Sequence, residues 1–412
     1  MKILQINAVN KVASTGRNVT ELNEFLVSRG HECAVAYSKG PSVDKNHEYV
    51  IGTNIDTKIH AFCSRLFGLQ GYFSYSATRG LLKFINNFNP DIVVLNNLHG
   101  NFINLPMLLK YIAKKDIATV AVLHDCWFYT GKCCHYTVQG CYKWQEKCGK
   151  CPSLKKYNKS WLFDRTKKML ADKKRLFNSI PRLAVVGVSD WITNQAKMSP
   201  VFENSDVIKR VYNWIDTEKF VPTNTDELRK ELCIEDRDII LCVASRWNKE
   251  KGIDSLLKIA EQLTDDEVLL VVGNLPEDLC LGSHIINIPT TNSIDELVKY
   301  YSLADVLFQP SLEETFGKVS AEALSCGTPV VCFNSTANSE IIGTGCGAVL
   351  PADDIDGAII EMRNIFSKGK QTYSNNCRAF SKENFSKNTN LKQYLELFKK
   401  ITTKKREDKD CY

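Results

Sequence analysis

The chain has 412 residues, 44% of them hydrophobic and 24% charged, with a net charge of +6. That composition is ordinary for a globular protein, and the length exceeds one ordinary core, so two domains of about 200 residues are expected. No stretch approaches eighteen apolar residues, which argues against a membrane-spanning helix, and there is no low-complexity tract or fixed-period repeat.

The opening MKILQINAVNKV reads as a first buried strand, because it lacks the long apolar region and small-residue cleavage site of a signal peptide. A cytoplasmic location is therefore expected, in which the 16 cysteines stay reduced. After the strand Ile3–Ile6, Val19, Leu22, Phe25 and Leu26 recur at helical spacing, and Cys33–Tyr37 is a second strand, giving a βαβ opening. Asp91–Leu95, Ile117–Leu123 and Leu183–Val188 are continuous apolar runs of strand length, as in parallel sheets covered on both faces. The pattern restarts with strands at Ile239–Ala244, Val268–Val272, Ile285–Ile288, Val306–Phe308 and Val330–Phe333. Helices are expected at Ser255–Leu263, Ile294–Leu303 and Lys318–Leu324. The fold class is thus α/β, with two doubly wound, Rossmann-like domains. Residues 1–215 form the first, with a Cys-rich insertion at about 126–160, and residues 216–384 form the second. The polar segment 215–235 reads as the connection. Residues 385–412 are helical through Leu391, Tyr394, Leu395 and Phe398, expected to pack back on the first domain and to end in a disordered tail, KKREDKDCY.

Ligands of open α/β sheets bind beyond the carboxyl ends of the strands, and four elements stand there. Glu314-Thr-Phe-Gly-Lys-Val-Ser-Ala-Glu322 follows a strand. Gly317 permits close backbone approach, and the helix start beyond it offers N–H donors to a diphosphate or a sugar oxygen. Glu314 can accept from sugar hydroxyls and Glu322 from a ribose diol, although a surface acid and a capping residue would look the same. Ser245-Arg246-Trp-Asn-Lys-Glu-Lys251-Gly252 brings two cations that can flank a diphosphate and stabilise the charge on a departing nucleotide. No Asp-x-Asp pair stands at a strand end to hold a metal, so no catalytic cofactor is expected. A solvated basic loop is the plainer alternative. His124-Asp125-Cys-Trp127 follows a buried run, which places His124 and Asp125 at a strand end as candidates to contact a transferring group or its acceptor. Ser14-Thr15-Gly16-Arg17 is a loop after the first strand; it is no GxGxxG fingerprint, and a lone glycine there is more often only a turn.

These elements resemble the retaining glycosyltransferases of family 4, which have the GT-B fold. The likeness rests on the Glu-x7-Glu element, the Arg-x4-Lys-Gly element and the closing Glu-Ala-Leu-Ser-Cys-Gly-Thr-Pro-Val-Val. Val211-Tyr-Asn213-Trp-Ile-Asp216-Thr-Glu-Lys-Phe220-Val-Pro222 is similar to that family's interdomain signature, with Trp214 where glycine is more usual. Ser-Thr-Gly-Arg, Asn97-Leu-His99-Gly100-Asn and His-Asp-x-Trp resemble a subgroup acting in bacterial surface-polysaccharide synthesis. The resemblance implies two domains facing across a cleft and a metal-independent hexosyl transfer with retention. It implies that Arg246 and Lys251 bind the donor diphosphate, that Glu314 binds its sugar with the backbone of Thr315, Phe316, Gly317 and Lys318, and that Glu322 binds the ribose. It implies that His124 and Gly16 line the cleft from the first domain, with Arg17 a further candidate for donor binding and Asp125 for catalysis. The implied partners are a nucleotide-sugar donor and a glycan or polyprenyl-diphosphate-linked acceptor, in exopolysaccharide, capsule or O-antigen assembly. A nucleotide-sugar epimerase of the same fold is the alternative.

Residues 132–182 hold fourteen Lys/Arg against three Asp/Glu. That surplus suits a phosphate-bearing acceptor or an anionic membrane surface at the inner face of the plasma membrane, or simply a solvated lysine-rich face. Nucleic acid is not expected as a partner, since it leaves the second half of the chain unexplained. Within the basic stretch Cys133, Cys141, Cys148 and Cys151 are spaced x7, x6 and x2. They are candidates for a structural four-cysteine zinc site, with free thiols packed under a loop as the alternative.

Overall fold

The computed structural model describes residues 1–403 apart from Val43, Lys45, Asn46, Asp278, Cys280 and Asn292; the tail expected to be disordered lies outside the described residues. The chain divides into two compact units. The first is Met1–Val211 with the C-terminal segment from Leu391, and the second is Tyr212–Asn390. The passage between them falls at Val211/Tyr212, ahead of the polar segment read as the connection. Tyr212, Trp214, Ile215 and Phe220 are apolar and buried, and hydrogen bonds fix them in the second unit. The Ile215 N–H donates to Phe385 O at 2.7 Å, and the Ser325 hydroxyl donates to Phe220 O at 2.7 Å. Polarity in 223–235 therefore marks surface, and this stretch carries the short helix Asp226–Glu231.

The first unit holds a seven-stranded sheet: β1 (Lys2–Val9), β2 (Glu32–Lys39), β3 (Glu48–Val50), β4 (Ile92–Leu95), β5 (Ala118–Leu123), β6 (Leu183–Gly187) and β7 (Val207–Arg210). Its order is β3-β2-β1-β4-β5-β6-β7, and every pairing is parallel. Strands β4, β5 and β6 are buried at every residue, which is why they read as unbroken apolar runs. The edge strands β3 and β7 are only half-buried and carry no such run. Val19, Leu22, Phe25 and Leu26 are the buried face of the helix Ala13–Ser28. At the other end of the chain, Leu391, Tyr394 and Phe398 are buried in the helix Lys387–Thr403.

The second unit repeats the plan with β8 (Asp238–Arg246), β9 (Glu267–Asn274), β10 (Ile285–Ile288), β11 (Val306–Gln309), β12 (Val330–Phe333) and β13 (Gly347–Leu350). Their order is β10-β9-β8-β11-β12-β13, again all parallel. In each sheet the strand order reverses once, beside β1/β4 and beside β8/β11. Loops leaving the carboxyl ends there diverge to opposite faces and open a crevice. Phe308 of β11 is 1% exposed and packs edge-on to Phe333 with ring centroids 5.5 Å apart. Phe308→Ala should lower the stability of the second unit by about 3–5 kcal/mol, read as a shift of its transition in denaturant unfolding, and Phe308→Leu by much less.

Candidate functional site

In the second unit, β8 and β11 are neighbours, with Val306 beside Ile240 and Leu307 beside Leu241, so the loops that follow them emerge side by side. A bulge between Val243 and Arg246 ends the regular ladder of β8 and re-aims the residues beyond it. Trp247 anchors that loop: its backbone N–H donates to Asn274 O at 2.9 Å and its indole N–H to Val272 O at 3.2 Å. Gly252 has φ +79°, and a Cβ there would stand 2.2 Å from Pro310 O. Only glycine lets the first loop settle against the second. The Leu312 N–H donates to Glu250 O at 3.0 Å and joins the two. The result is an ion pair between Lys251 Nζ and Glu314 Oε1, two residues 63 apart in the chain.

The Glu314 loop is pinned from beneath, its N–H donating to Thr336 Oγ1 at 2.7 Å. Phe316 is 2% exposed and packs on Tyr212 and Phe385 at 5.9 and 5.5 Å, so its ring holds the loop. Gly317, at φ +82°, caps the helix Lys318–Ser325 without a side-chain acceptor, which leaves Thr315, Gly317 and Lys318 at a helix start of positive potential. Glu322 lies in that helix and is buried; the Tyr301 hydroxyl donates to its Oε2 at 2.8 Å. Arg246 is exposed at the end of β8 and lines a groove of about 910 Å³ with Asn274, Glu277 and Asn287. The structure thus joins Lys251 to Glu314 directly and places Arg246 at the end of the same strand. Asn338 was not visible in the sequence. Its buried Oδ1 has no partner among the described residues and lies 3.6 Å from where a Cβ of Gly317 would stand.

In the first unit, β4 and β5 deliver a polar cluster from adjacent strand ends. His124 Nε2 and Asn96 Oδ1 are 3.0 Å apart, and the Asn97 N–H donates to Asn7 Oδ1 at 3.0 Å. Asp125 is engaged within the unit: its Oδ1 accepts from the Trp127 N–H at 2.8 Å, and its Oδ2 lies 2.7 Å from His99 Nε2. It thereby brings His99, which the sequence reading had not picked as a site residue, to the same strand end. The backbone of His99 is gripped by Gln70, whose Nε2 donates to His99 O and whose Oε1 accepts from the Trp127 indole at 2.8 Å. Cys134 completes a group with His99 and Asp125 whose ligand atoms lie within 4.8 Å of one another.

Gly16 and Arg17 are corrected. They lie inside the helix Ala13–Ser28, which begins at once after β1 with no side-chain cap. The turn is made earlier, with Lys11 and Ala13 at φ +63° and +55°. Gly16 is buried, its absent Cβ 3.2 Å from Lys11 N, so it allows the helix to lie on the strand-end backbone. Arg17 has a buried Nε with no partner among the described residues.

Burial opposes both charges of the first-unit pair, pushing the His99 pKa down and that of Asp125 up, but each partner overcomes it. The Asp125 carboxylate raises His99 above the usual imidazole value, and His99 lowers Asp125 below the usual carboxylate value.

Two family models match the chain: Glycosyltransferase Family 4 over residues 15–219 and Glycosyl transferases group 1 over residues 224–383. By these matches and by its two parallel-sheet units, the chain belongs to the glycosyltransferases of GT-B fold. Among curated relatives, D-inositol 3-phosphate glycosyltransferase of Mycobacterium sp. (strain KMS) is 27% identical over 39% of this chain and 40% of its own length. The chain thus spans about two fifths of the length of the first relatives it matches. The putative colanic acid biosynthesis glycosyl transferase WcaC of Escherichia coli (strain K12) is 22% identical over 65% of each chain. Among solved structures, Anabaena HepE in complex with UDP and glucose superposes with a TM-score of 0.65 at 16% identity, covering 97% of this chain and all of that one.

Gly252→Ala should cost at least about 1–3 kcal/mol from the left-handed backbone alone and push the Lys251 loop off Pro310, read as a lower melting temperature. The pH dependence of stability tests the other pair. A raised His99 contributes stability that is whole below its unfolded pKa and lost as pH rises through the folded one. A lowered Asp125 contributes stability present above its unfolded pKa and lost as pH falls through the folded one. His99→Gln should therefore flatten the stability–pH curve on both flanks, measured by chemical denaturation across the acid-to-neutral range.

Proposed function

We propose that the chain transfers a hexosyl group, with retention, from a nucleotide-diphosphate sugar to a glycan or polyprenyl-diphosphate-linked acceptor in surface-polysaccharide assembly. The Lys251–Glu314 ion pair carries this reading. A cation and an acid joined at a switch-point crevice beside an uncapped helix start suit a donor whose diphosphate takes the cation and the N–H groups while its sugar hydroxyls take the acid. Arrival of the donor exchanges the internal pair for two intermolecular contacts. The C1–O bond to the diphosphate breaks and its electron pair leaves with the nucleotide, where Lys251, Arg246 and the helix start stabilise the charge. The acceptor oxygen bonds to C1 on the same face, and its proton passes to the departing phosphate oxygen. No protein nucleophile is assigned. Glu322 is the candidate ribose acceptor, and His124, with His99 held by Asp125, is a candidate for contact with the transferring sugar or the acceptor. The UDP and glucose in HepE and the colanic acid description of WcaC support the donor class and the pathway class.

A surface of the first unit supports an acceptor presented at an anionic membrane. Ile55, Ile59 and Phe62 are exposed along one face of the helix Asn54–Phe67, and Trp161, Leu162 and Phe163 are exposed beside it, with Phe62 and Trp161 rings 5.9 Å apart. Lys58, Arg65, Lys155, Lys156, Lys159 and Arg165 are exposed in the same segments, and the Arg165 guanidinium stands 5.3 Å from the Phe163 ring. Apolar side chains among cations suit an acyl–headgroup boundary, which supports a peripheral position at the inner face of the plasma membrane.

Incubation with labelled nucleotide sugars and membrane extract should release nucleotide and label glycan. Lys251→Ala, Arg246→Ala and Glu314→Ala should each reduce this by about 10²–10³-fold with unchanged circular dichroism. An isomerised nucleotide sugar without release would favour the epimerase, and wild-type turnover in any two variants would refute the site. For the membrane surface, wild-type protein should sediment with anionic vesicles in a salt-sensitive manner and not with zwitterionic ones. The double variant Phe62→Ser, Trp161→Ser should stay in the supernatant, and equal sedimentation of both proteins would remove the surface from the account.

A further inference from the structure

The proposed transfer leaves the cysteine cluster without a task. Residues 124–165 contain one 3-10 helix, Lys143–Gln145, and otherwise neither helix nor strand. Irregular chain of that length is unusual inside a compact domain without an added constraint. Yet Trp127, Tyr129, Cys133, Tyr136 and Trp144 are buried, and the Trp144 ring packs on Tyr129 and Tyr136 at 4.9 and 5.3 Å. Between them lies a cavity of about 20 Å³ whose wall is almost wholly non-polar. It has room for about one body the size of a water molecule. Cys133, Cys141, Cys148 and Cys151 all line it, beside Lys132 and Trp144.

Between Cys148 and Cys151 the backbone bends, with Gly149 and Lys150 at φ +134° and +45°, and both cysteines reach the same cavity wall. Cys133 and Cys151, eighteen residues apart in the chain, line the same cavity. Lys132 and Lys173 are buried in the same segment, and their ammonium groups are held by backbone carbonyls: Lys132 by Ser153 and Leu154 at 3.2 and 2.7 Å, Lys173 by Trp127 and by Thr130 at 2.9 Å.

We propose that Cys133, Cys141, Cys148 and Cys151 bind one structural zinc ion that braces the segment 124–165. Zinc–sulfur bonds are about 2.3 Å long, so the ion draws the four sulfurs inward across the cavity. The rival set is His99, Asp125 and Cys134, whose ligand atoms already lie close. There the His99–Asp125 ion pair neutralises itself and asks for no metal.

The test is elemental analysis of the full chain after zinc loading and gel filtration, paired with cobalt replacement. About one zinc per chain is expected in wild type. It should be retained in Cys134→Ser and in the exposed control Cys233→Ser, and lost in Cys141→Ser and Cys148→Ser. Cobalt-loaded wild type should show thiolate charge-transfer absorption and the intense visible bands of a tetrahedral sulfur site, which decides the matter even where a variant fails to fold. Folded wild type that takes up no metal, a cobalt spectrum without thiolate bands, or metal lost from Cys134→Ser but kept in Cys148→Ser would each overturn the proposal.

Discussion

The site in the second unit depends on one close approach. Gly252 lies so near Pro310 O that any side chain would collide with it, and this contact seats the loop after β8 against the loop after β11. From it follows the pairing of Lys251 with Glu314. An ammonium and a carboxylate brought together with their loops fixed by backbone hydrogen bonds suit the proposed ligand, which has both an anionic and a hydroxylic end. The internal pair keeps each charge satisfied in its absence. Adjacent parallel strands are what make the approach available, because both loops leave the same edge of the sheet at its switch point.

The first unit uses the same edge differently. Its strand ends present imidazole and carboxamide groups: Asn96, His124 and, through Asp125, His99. The helix Ala13–Ser28 starts there with no side-chain cap and with strained backbone just before it. Left-handed, non-glycine residues at such a point persist only where surrounding contacts over-determine them. The long segment 124–165 then folds over the sheet edge through its aromatic residues, and Lys173 reaches from the helix Thr166–Phe177 to hold the backbone of Trp127.

The sequence made the interior strands legible because double-sided burial leaves no room for alternation; β4, β6 and β12 are unbroken apolar runs for that reason, and β5 and β11 are interrupted only by the buried Thr119 and Gln309. The half-buried edges β3 and β7 have no such signature. The Glu314 and Lys251 loops were readable because each carries glycine at a position of positive φ next to a strand end. Their mutual contact was not, since nothing local encodes a partner 63 residues away. Gly16 was misread because a glycine soon after a strand resembles a turn; here the turn falls on Lys11 and Ala13, and the glycine serves helix–strand packing. The contact of Asp125 with His99 was not legible because His99 precedes it by a whole strand and helix, and nothing in the chain around Asn338 marks its orphaned oxygen.

The central claim is that the diphosphate and sugar of one donor displace the Lys251–Glu314 pairing. The most direct measurement is a crystal structure with the nucleotide sugar that most raises the melting temperature. The account predicts diphosphate oxygens on Lys251 Nζ and the backbone at the start of the helix Lys318–Ser325, with sugar hydroxyls on the Glu314 carboxylate. A donor seated elsewhere, with that ion pair intact, would contradict it.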